Sequence, residues 1–295
     1  MRAGAAPAGF LKRYPPGRAD QRDAEIEGLE ALAATGTVAV PAILEVGEQD
    51  GTPVLLLERL EGADAATQAA GEAGLGAALA RLHACHGPAF GWDHDNFIGA
   101  GVQRNGRDDD WARFFRERRL RPQLEWLAWG TGATRDGATR RALLERGARL
   151  LGQVATLLAG HRPAPALLHG DLWCGNWLVN RRDGRPYVFD PAVYHGDPDA
   201  DLAMTELFGG FGPRFRAAYH RIAPQRPGYP ARRELYNLYH LLNHANLFGE
   251  GYARQALAAV DRLLASALTV EVATPGGRAA DAPSPSSRSR GGKDA

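Results

Sequence analysis

Short apolar runs and helical periods occupy different parts of this chain. The runs Val38 to Val40 and Val54 to Leu57 predict strands, while apolar residues recur at helical intervals from Asp23 to Ala34 and stop before Gly36. After Gly62 the spacing of apolar residues is mainly helical. The pattern therefore predicts a small lobe that contains a sheet, followed by a larger helical lobe.

The larger lobe is predicted to consist of amphipathic helices. Its apolar residues repeat every three or four positions, as in Leu75, Leu79 and Leu82. The predicted helices are Leu75 to Leu82, one that begins at Trp111, Ala138 to Ala159, Asp199 to Phe208, Arg232 to Phe248 and Gln255 to Leu268. We expect a partial N-terminal lobe with a connector (residues 1–60), a helical lobe (61–272) and a disordered tail (273–295), which is rich in Pro, Gly and Ser and has no aromatic residue.

Charge and cysteine content restrict the partner and the compartment. The 295 residues include 35 basic and 34 acidic ones, so no field of one sign indicates nucleic acid or an anionic membrane as the partner. The two cysteines, Cys85 and Cys174, exclude a disulfide framework and favour a reducing compartment. No stretch has the apolar length of a signal peptide or a membrane span. These features predict a cytoplasmic protein with a small-molecule partner.

The polar residues with the most specific spacing lie in two segments, His-Gly-Asp-Leu-Trp-Cys-Gly-Asn at 169–176 and Phe-Asp-Pro at 189–191. Protein kinases place an Asn five residues after the catalytic Asp, and a second Asp near a strand holds Mg²⁺. Asp171, Asn176 and Asp190 repeat this spacing. Asp171 is predicted to orient an acceptor hydroxyl and to accept its proton, while Asn176 and Asp190 offer the oxygen ligands that Mg²⁺ prefers.

Neighbouring residues support this site. The Asp-Gly pair at 183–184 predicts a hairpin turn, which would bring Asn176 and Asp190 to one end of the hairpin. His169 is predicted to brace the catalytic loop through a hydrogen bond rather than to act as the base. Asp201 lies in the first turn of a predicted helix, and an Asp at this place in kinase-like folds hydrogen-bonds the catalytic loop.

The nucleotide side of the site is predicted from a scarce residue type. Lysine occurs only at Lys12 and Lys293, and Lys293 lies in the predicted tail, so Lys12 is the candidate for the phosphate contact that a strand lysine makes in kinases. The helix that follows carries Glu25 and Glu27 as possible partners for this lysine. The candidate adenine-binding connector consists of Glu58, Arg59 and Leu60.

Several separate blocks of the chain match the pattern of one known family. They are Asp95 to Gly99, Trp111 to Pro122, Leu167 to Asn176, Phe189 to Ala192, Ala203 to Gly210 and Asn237 to His244. In these blocks the chain resembles the bacterial fructosamine (ketosamine) 3-kinases, within the aminoglycoside phosphotransferase and protein-kinase-like superfamily. The similarity extends roughly from Phe10 to Leu264, and Trp173 makes the catalytic loop more specific than the His-Gly-Asp of aminoglycoside and choline kinases.

The resemblance implies an α+β, two-lobed protein-kinase-like fold and a phosphotransferase that uses ATP and Mg²⁺. The substrate would be a ketosamine, small or protein-bound, that is phosphorylated on the 3-hydroxyl of its sugar. Because the 3-phosphate makes the adduct unstable and frees the amine, the reaction would be a deglycation repair. By position, the resemblance makes Asp171 the base, Asn176 and Asp190 the Mg²⁺ ligands, Lys12 and Glu25 the phosphate-anchoring pair, and Trp173 a wall of the sugar-amine pocket.

One part of the family pattern has no counterpart in the chain. Only Met1 to Gly9 precede Phe10, which is too short for the two strands and the Gly-rich turn that cover the phosphates in kinases. We expect an upstream start codon rather than a natural truncation, because every predicted metal ligand is retained. Two alternative functions stay open: another small-molecule hydroxyl kinase, of the aminoglycoside or choline type, and a sugar-amine-binding protein without a lid or activity.

Overall fold

The first elements of the chain form a small sheet against which one helix packs. The computed structural model describes residues 9–273, so the segment in which the Gly-rich turn is predicted to be missing lies largely outside the described residues. The antiparallel strands β1 (Gly9–Arg13), β2 (Ile43–Gln49) and β3 (Thr52–Glu58) have the order β1-β3-β2, and helix α1 spans Ala19–Ala34. Leu55 and Leu57 of β3 pack with Leu29 of α1 in a small core.

Two predictions for this region differ from the structure. The segment Val38 to Val40 is not a strand: Ala39 makes a single bridge to a later strand, and β2 begins after this segment. In β2 the side chains of Leu44 and Val46 are exposed, so this strand lacks the buried apolar run from which a strand is predicted. The helix α1 begins at Ala19 and not at Asp23. The prediction missed its first turn because that turn is polar and carries no apolar period.

The rest of the described chain is mainly helical, as predicted. A π-helical turn at Phe115–Leu120 joins α3 to α4 without a break. The predicted tail lies outside the described residues, apart from Ala273, which is the last residue of α9. The helices are α2 (Ala65–Leu82), α3 (Trp111–Phe114), α4 (Arg121–Trp129), α5 (Gly137–Leu157), α6 (Pro198–Leu207), α7 (Pro213–Ile222), α8 (Tyr229–Phe248) and α9 (Glu250–Ala273).

The core of this lobe contains the apolar faces of α5, α8 and α9. Leu143, Leu150 and Val154 of α5 are buried in it, as the helical period predicted. Helix α7 was not predicted from the sequence. It packs so closely along α2 that a Cβ at Gly76 would lie 2.2 Å from the Phe215 carbonyl oxygen. Within residues 9–273, none of the helices combines the length and the apolarity needed to cross a membrane.

Short paired strands hold the loops of the larger lobe. Strands β4 (Asn96–Ile98) and β5 (Gly101–Gln103) form one pair, β6 (Ala166–Leu168) and β9 (Tyr194–Gly196) another, and β7 (Trp177–Val179) and β8 (Pro186–Val188) a third. The β7–β8 connection contains Gly184 with a φ of +69°, a conformation that favours glycine. The predicted hairpin is therefore confirmed, and Asn176 and Asp190 flank its open end.

Candidate active site

The catalytic loop begins where β6 ends, at His169. Gly170 follows with a φ of +83°, and a Cβ at this position would lie 2.0 Å from the Ala192 carbonyl oxygen. The Ala192 amide donates to the His169 carbonyl at 2.9 Å, so the loop is held against the segment that follows Asp190. Only glycine allows this close approach, which explains the glycine of the His-Gly-Asp motif.

Two side chains lie behind this loop. Asp201, in the first turn of α6, accepts hydrogen bonds from the amides of His169 at 2.8 Å and Gly170 at 2.9 Å. The His169 ring accepts the Asp171 amide on Nδ1 at 3.3 Å and donates from Nε2 to the Phe189 carbonyl at 3.1 Å. Burial lowers the pKa of His169, which keeps the ring neutral. These contacts are the ones that the predicted bracing roles require.

Asp171 lies among other carboxylates in the cleft. Burial raises the pKa of Asp171 to about 7, the negative charges of Asp190 and Asp201 act in the same direction, and a hydrogen bond from Asn176 opposes them. The Asn176 Nδ2 atom donates to the Asp171 carbonyl oxygen at 2.9 Å and to its carboxylate at 3.4 Å. A carboxyl group with a pKa near neutrality is suited to accept a proton from a substrate hydroxyl.

Asn176 and Asp190 border the same cavity as Asp171. The Asn176 Nδ2 atom is held by Asp171, which leaves its Oδ1 atom without a hydrogen bond to any other residue between 9 and 273. Asp190 has a φ of +55°, a left-handed conformation that is uncommon outside Gly, Asn and Asp. The crowded negative charge at Asp171 and Asp190 is the condition that a divalent cation relieves, so these oxygens fit Mg²⁺.

The only lysine of the described residues links the two lobes. The Lys12 Nζ atom contacts Glu25 Oε2 at 2.5 Å and Asp190 Oδ1 at 2.9 Å. Burial alone would lower the pKa of Lys12, but the charges of Glu25 and Asp190 outweigh it and raise the pKa. Glu27 does not contact Lys12; it accepts a hydrogen bond from Trp92 Nε1 at 2.9 Å. The structure therefore pairs Lys12 with Glu25 rather than with Glu27.

Tyr14 belongs to this cluster, although the sequence did not indicate it. The Tyr14 hydroxyl donates to Glu25 Oε2 at 2.7 Å, the same oxygen that contacts Lys12. Burial and the Glu25 charge raise the pKa of Tyr14, so the hydroxyl keeps its proton and remains a donor. Tyr14 also packs with Leu55 and Leu57 in the small core. The sequence pattern alone does not distinguish it from any other core residue.

Two cavities meet at Asp190. One, of about 450 Å³, contains the charged groups Lys12, Glu25 and Asp171 together with Asn176. The other, of about 570 Å³, lies between β1, the connector after β3 and the β7–β8 hairpin. Its lining is largely apolar and consists of Gly9, Phe10, Leu11, Pro41, Leu57, Glu58, Arg59, Leu60, Leu178, Phe189 and Asp190. The apolar lining of the second cavity is of the kind that suits a flat ring, and the two cavities are joined at Asp190.

The three connector residues are not equivalent at this second cavity. The Glu58 amide donates to the Ala42 carbonyl at 2.7 Å and is therefore not free to bind a base. The amides of Arg59 and Leu60 make no hydrogen bond to other residues in the range 9–273. The adenine-binding role of Glu58, Arg59 and Leu60 stays a prediction, and within residues 9–273 only the amides of Arg59 and Leu60 among the three lack a partner.

Trp173 borders the cavity that contains Asp171. Its side chain is 37% exposed, and its ring meets Phe208 edge-on with 6.2 Å between centroids. A Cβ at Gly175 would lie 2.4 Å from the indole, so this glycine lets the ring fold over the loop. Phe97 of β4 lines the same cavity. In the sequence, Phe97 was marked only as part of the block Asp95 to Gly99 that resembles the family. Aromatic faces of this kind suit the apolar side of a sugar and a nearby cation.

Known proteins share both the sequence and the fold of this chain. The family model described as fructosamine kinase matches residues 6–266. A protein of Synechocystis sp. named "probable ketoamine kinase" is 46% identical over 234 residues, which are 79% of this chain and 75% of that protein. The chloroplastic protein-ribulosamine 3-kinase of Arabidopsis thaliana is 37% identical over 245 residues, covering 82% and 72% of the two chains. A crystal structure of a candidate fructosamine-3-kinase from Haemophilus somnus has a TM-score of 0.77 at 28% identity and covers 88% and 84%. The α+β, two-lobed kinase-like fold expected from the sequence is therefore confirmed.

Proposed function

This chain belongs to the fructosamine kinase family, and we propose that it uses ATP to phosphorylate the 3-hydroxyl group of ketosamines. It is a phosphotransferase whose acceptor is an alcohol group. The names of its relatives, ketoamine kinase and ribulosamine 3-kinase, favour a ketosamine over an aminoglycoside or choline as acceptor. One observation carries the proposal: Lys12 contacts both Glu25 and Asp190 beside Asp171 and Asn176 in a single cavity, an arrangement that a mere binding protein does not need.

Asp171 is the residue that would handle the proton. Its raised pKa of about 7 makes the carboxylate a stronger base than an exposed aspartate. The hydrogen bond from Asn176 and the hold of His169 on the Asp171 amide keep this carboxylate directed into the cavity. An acceptor hydroxyl bound there would be oriented for in-line attack and would pass its proton to Asp171 as the bond to phosphorus forms.

Lys12, Asn176 and Asp190 would act on the phosphates. When bound, Mg²⁺ would be held by Asn176 Oδ1 and the Asp190 carboxylate, and it would supply positive charge opposite the phosphate oxygens. Lys12 already lies within 2.9 Å of Asp190, so the ammonium and the metal ligand face the same space. Glu25, with Tyr14 behind it, holds Lys12 in this direction.

The acceptor is expected to lie against Trp173 and Phe97. A ketosamine combines a sugar, whose apolar face suits an indole, with an amine that is cationic at neutral pH. We propose that both small and protein-bound ketosamines are accepted, because the cavity is open and Trp173 is partly exposed at its edge. Phosphorylation at the 3-position would destabilise the adduct and release the free amine, which makes the reaction a repair of glycation.

The test is a panel of acceptors with ATP and Mg²⁺. The full chain is incubated with ribulose-lysine, fructose-lysine, kanamycin and choline, and the products are identified by mass spectrometry alongside ADP release. We expect a phosphate on the two ketosamines, and loss of this product in Asp171→Asn. Phosphorylation of kanamycin or choline with none of the ketosamines would refute the proposed acceptor. Tight binding of MgATP without any phosphorylated product would refute the proposed activity.

A further inference from the structure

A chain of three buried side chains lies behind the catalytic loop. His83, at the C-terminal end of α2, has its Nε2 atom 3.1 Å from Asp201 Oδ2 and its Nδ1 atom 2.7 Å from the hydroxyl of Tyr219 in α7. The side chains of His83 and Asp201 are each 2% exposed. Asp201 in turn accepts the amides of His169 and Gly170. Contacts therefore run without a break from α7 to the residue next to Asp171.

The chemistry of the groups sets the direction of these hydrogen bonds. The Asp201 carboxylate can only accept, so Nε2 of His83 carries the proton and donates it. In the neutral ring Nδ1 is then an acceptor, and the Tyr219 hydroxyl donates to it. Burial alone would raise the pKa of Asp201, but hydrogen bonds from the His83 ring and the Gly170 amide help to lower it. An ionised Asp201 is the strong acceptor that the two loop amides need.

Helix packing positions His83 and Tyr219 with little freedom. Helices α2 and α7 lie so close that only a glycine fits at position 76, against the Phe215 carbonyl. The rings of His83 and Tyr219 meet edge-on with 5.6 Å between centroids. Both rings line a cavity of about 320 Å³ that shares no lining residue with the two cavities of the cleft. The chain of contacts thus approaches the catalytic loop from outside the cleft.

We propose that His83 is a positioning residue for phosphoryl transfer: through Asp201 it fixes the backbone of His169 and Gly170, and so aims Asp171 at the acceptor hydroxyl. The proposal rests on the proposed function for the identity of the reaction. It assigns His83 no contact with substrate, since the residue lines neither cavity of the cleft. In this role, the alignment of Asp171 depends on His83, whereas the binding of ATP and of the acceptor does not.

The test compares His83→Ala, His83→Gln and a control. We expect His83→Ala to lower kcat by about 10- to 100-fold, the usual effect of losing a supporting hydrogen-bond partner, with both KM values within about threefold of the wild type. His83→Gln retains an amide donor toward Asp201 and should recover most of kcat. Imidazole added to His83→Ala should also raise kcat, because the 320 Å³ cavity beside position 83 gives it a place to bind. His220→Ala alters the same cavity and removes a hydrogen bond to the Ala223 carbonyl and an edge-on contact with the Tyr219 ring, but it leaves the His83–Asp201 pair in place and should behave as the wild type.

A second readout does not depend on the acceptor. Amide hydrogen exchange at His169 and Gly170 should become at least about tenfold faster in His83→Ala, while exchange in α5 stays unchanged. Equal exchange in wild type and His83→Ala, or a rise in KM as large as the fall in kcat, would overturn the positioning role. Failure of the wild type to phosphorylate ketosamines would instead refute the proposed function, and the exchange experiment would still decide the role of His83.

Discussion

Replacing Asp171 with asparagine should stabilise the protein at high pH and remove most of its activity. The pKa of Asp171 is raised from 3.8 to about 7 in the folded chain, first by burial and then by the charges of Asp190 and Asp201. A carboxyl group with a raised pKa favours the folded state while it is protonated, and this contribution is lost as the pH rises through the folded pKa. The asparagine of the Asp171→Asn variant cannot ionise. Only the wild type should therefore lose unfolding free energy as the pH rises.

The magnitude follows from the two pKa values. Between pH 5 and pH 7 the unfolded chain has an ionised Asp171 and the folded chain a protonated one, and each pH unit removes about 1.4 kcal/mol of unfolding free energy. This amounts to about 3 kcal/mol, and because the side chain borders the open cleft, solvent screening reduces the expected difference to about 1–3 kcal/mol. In a chain of this size each kcal/mol shifts Tm by about 2–4 °C.

The assay is thermal unfolding of wild type and Asp171→Asn in EDTA at pH 5.0 and pH 8.5. The Tm difference in favour of the variant should widen by about 2 °C or more at the higher pH, while turnover falls by about 10²–10⁴. Asp50→Asn is the control, since Asp50 is exposed in the β2–β3 turn and asparagine tolerates its φ of +52°. The same Tm difference at both pH values would refute the reasoning, as would unchanged turnover.

Three other changes test separate parts of the site. Asp190→Asn should abolish Mg²⁺-dependent ATP binding measured by calorimetry, and tight MgATP binding by the variant would contradict its role as a metal ligand. Trp173→Ala should raise KM for the ketosamine by about tenfold with KM for ATP unchanged, whereas Trp129→Ala, an exposed tryptophan outside both cleft cavities, should alter neither; a rise in KM for ATP alone would exclude Trp173 as an acceptor wall. Gly76→Ala should lower the unfolding free energy by about 1–3 kcal/mol in urea titrations, because α2 and α7 must separate, and a stability equal to wild type would show that they need not.

The placement of Asp171, Asn176 and Asp190 in one cavity could be predicted from sequence because these residues are close along the chain. Asp171, Asn176 and Asp190 are joined by one loop and one hairpin, and the Asp-Gly turn indicates how the hairpin folds. The choice of Glu25 over Glu27 needed the family resemblance, since both lie on one helix and only the packing of α1 decides which glutamate faces Lys12.

The remaining features depend on contacts between distant segments. The Glu58 amide is occupied by Ala42, next to the irregular pairing at the start of β2, and no local pattern encodes that contact. His83 meets Asp201 across 118 positions and Tyr219 across 136, so its role is invisible until α2, α6 and α7 are packed. The sequence pattern does not distinguish a residue that is buried to make a polar contact, such as His83, from an ordinary core residue.

The left-handed backbone at Asp190 restricts the substitutions that this position tolerates during evolution. Aspartate, asparagine and glycine are the residues that accept such a φ with little strain. Aspartate and asparagine codons differ by a single base, so the least disruptive mutation at this position is also one that removes the charge from the proposed Mg²⁺ ligand. A descendant that has lost catalysis would thus retain a normal fold and normal abundance. Inactive paralogues of this fold should accordingly be sought among proteins that fold well, with position 190 as the first residue to inspect.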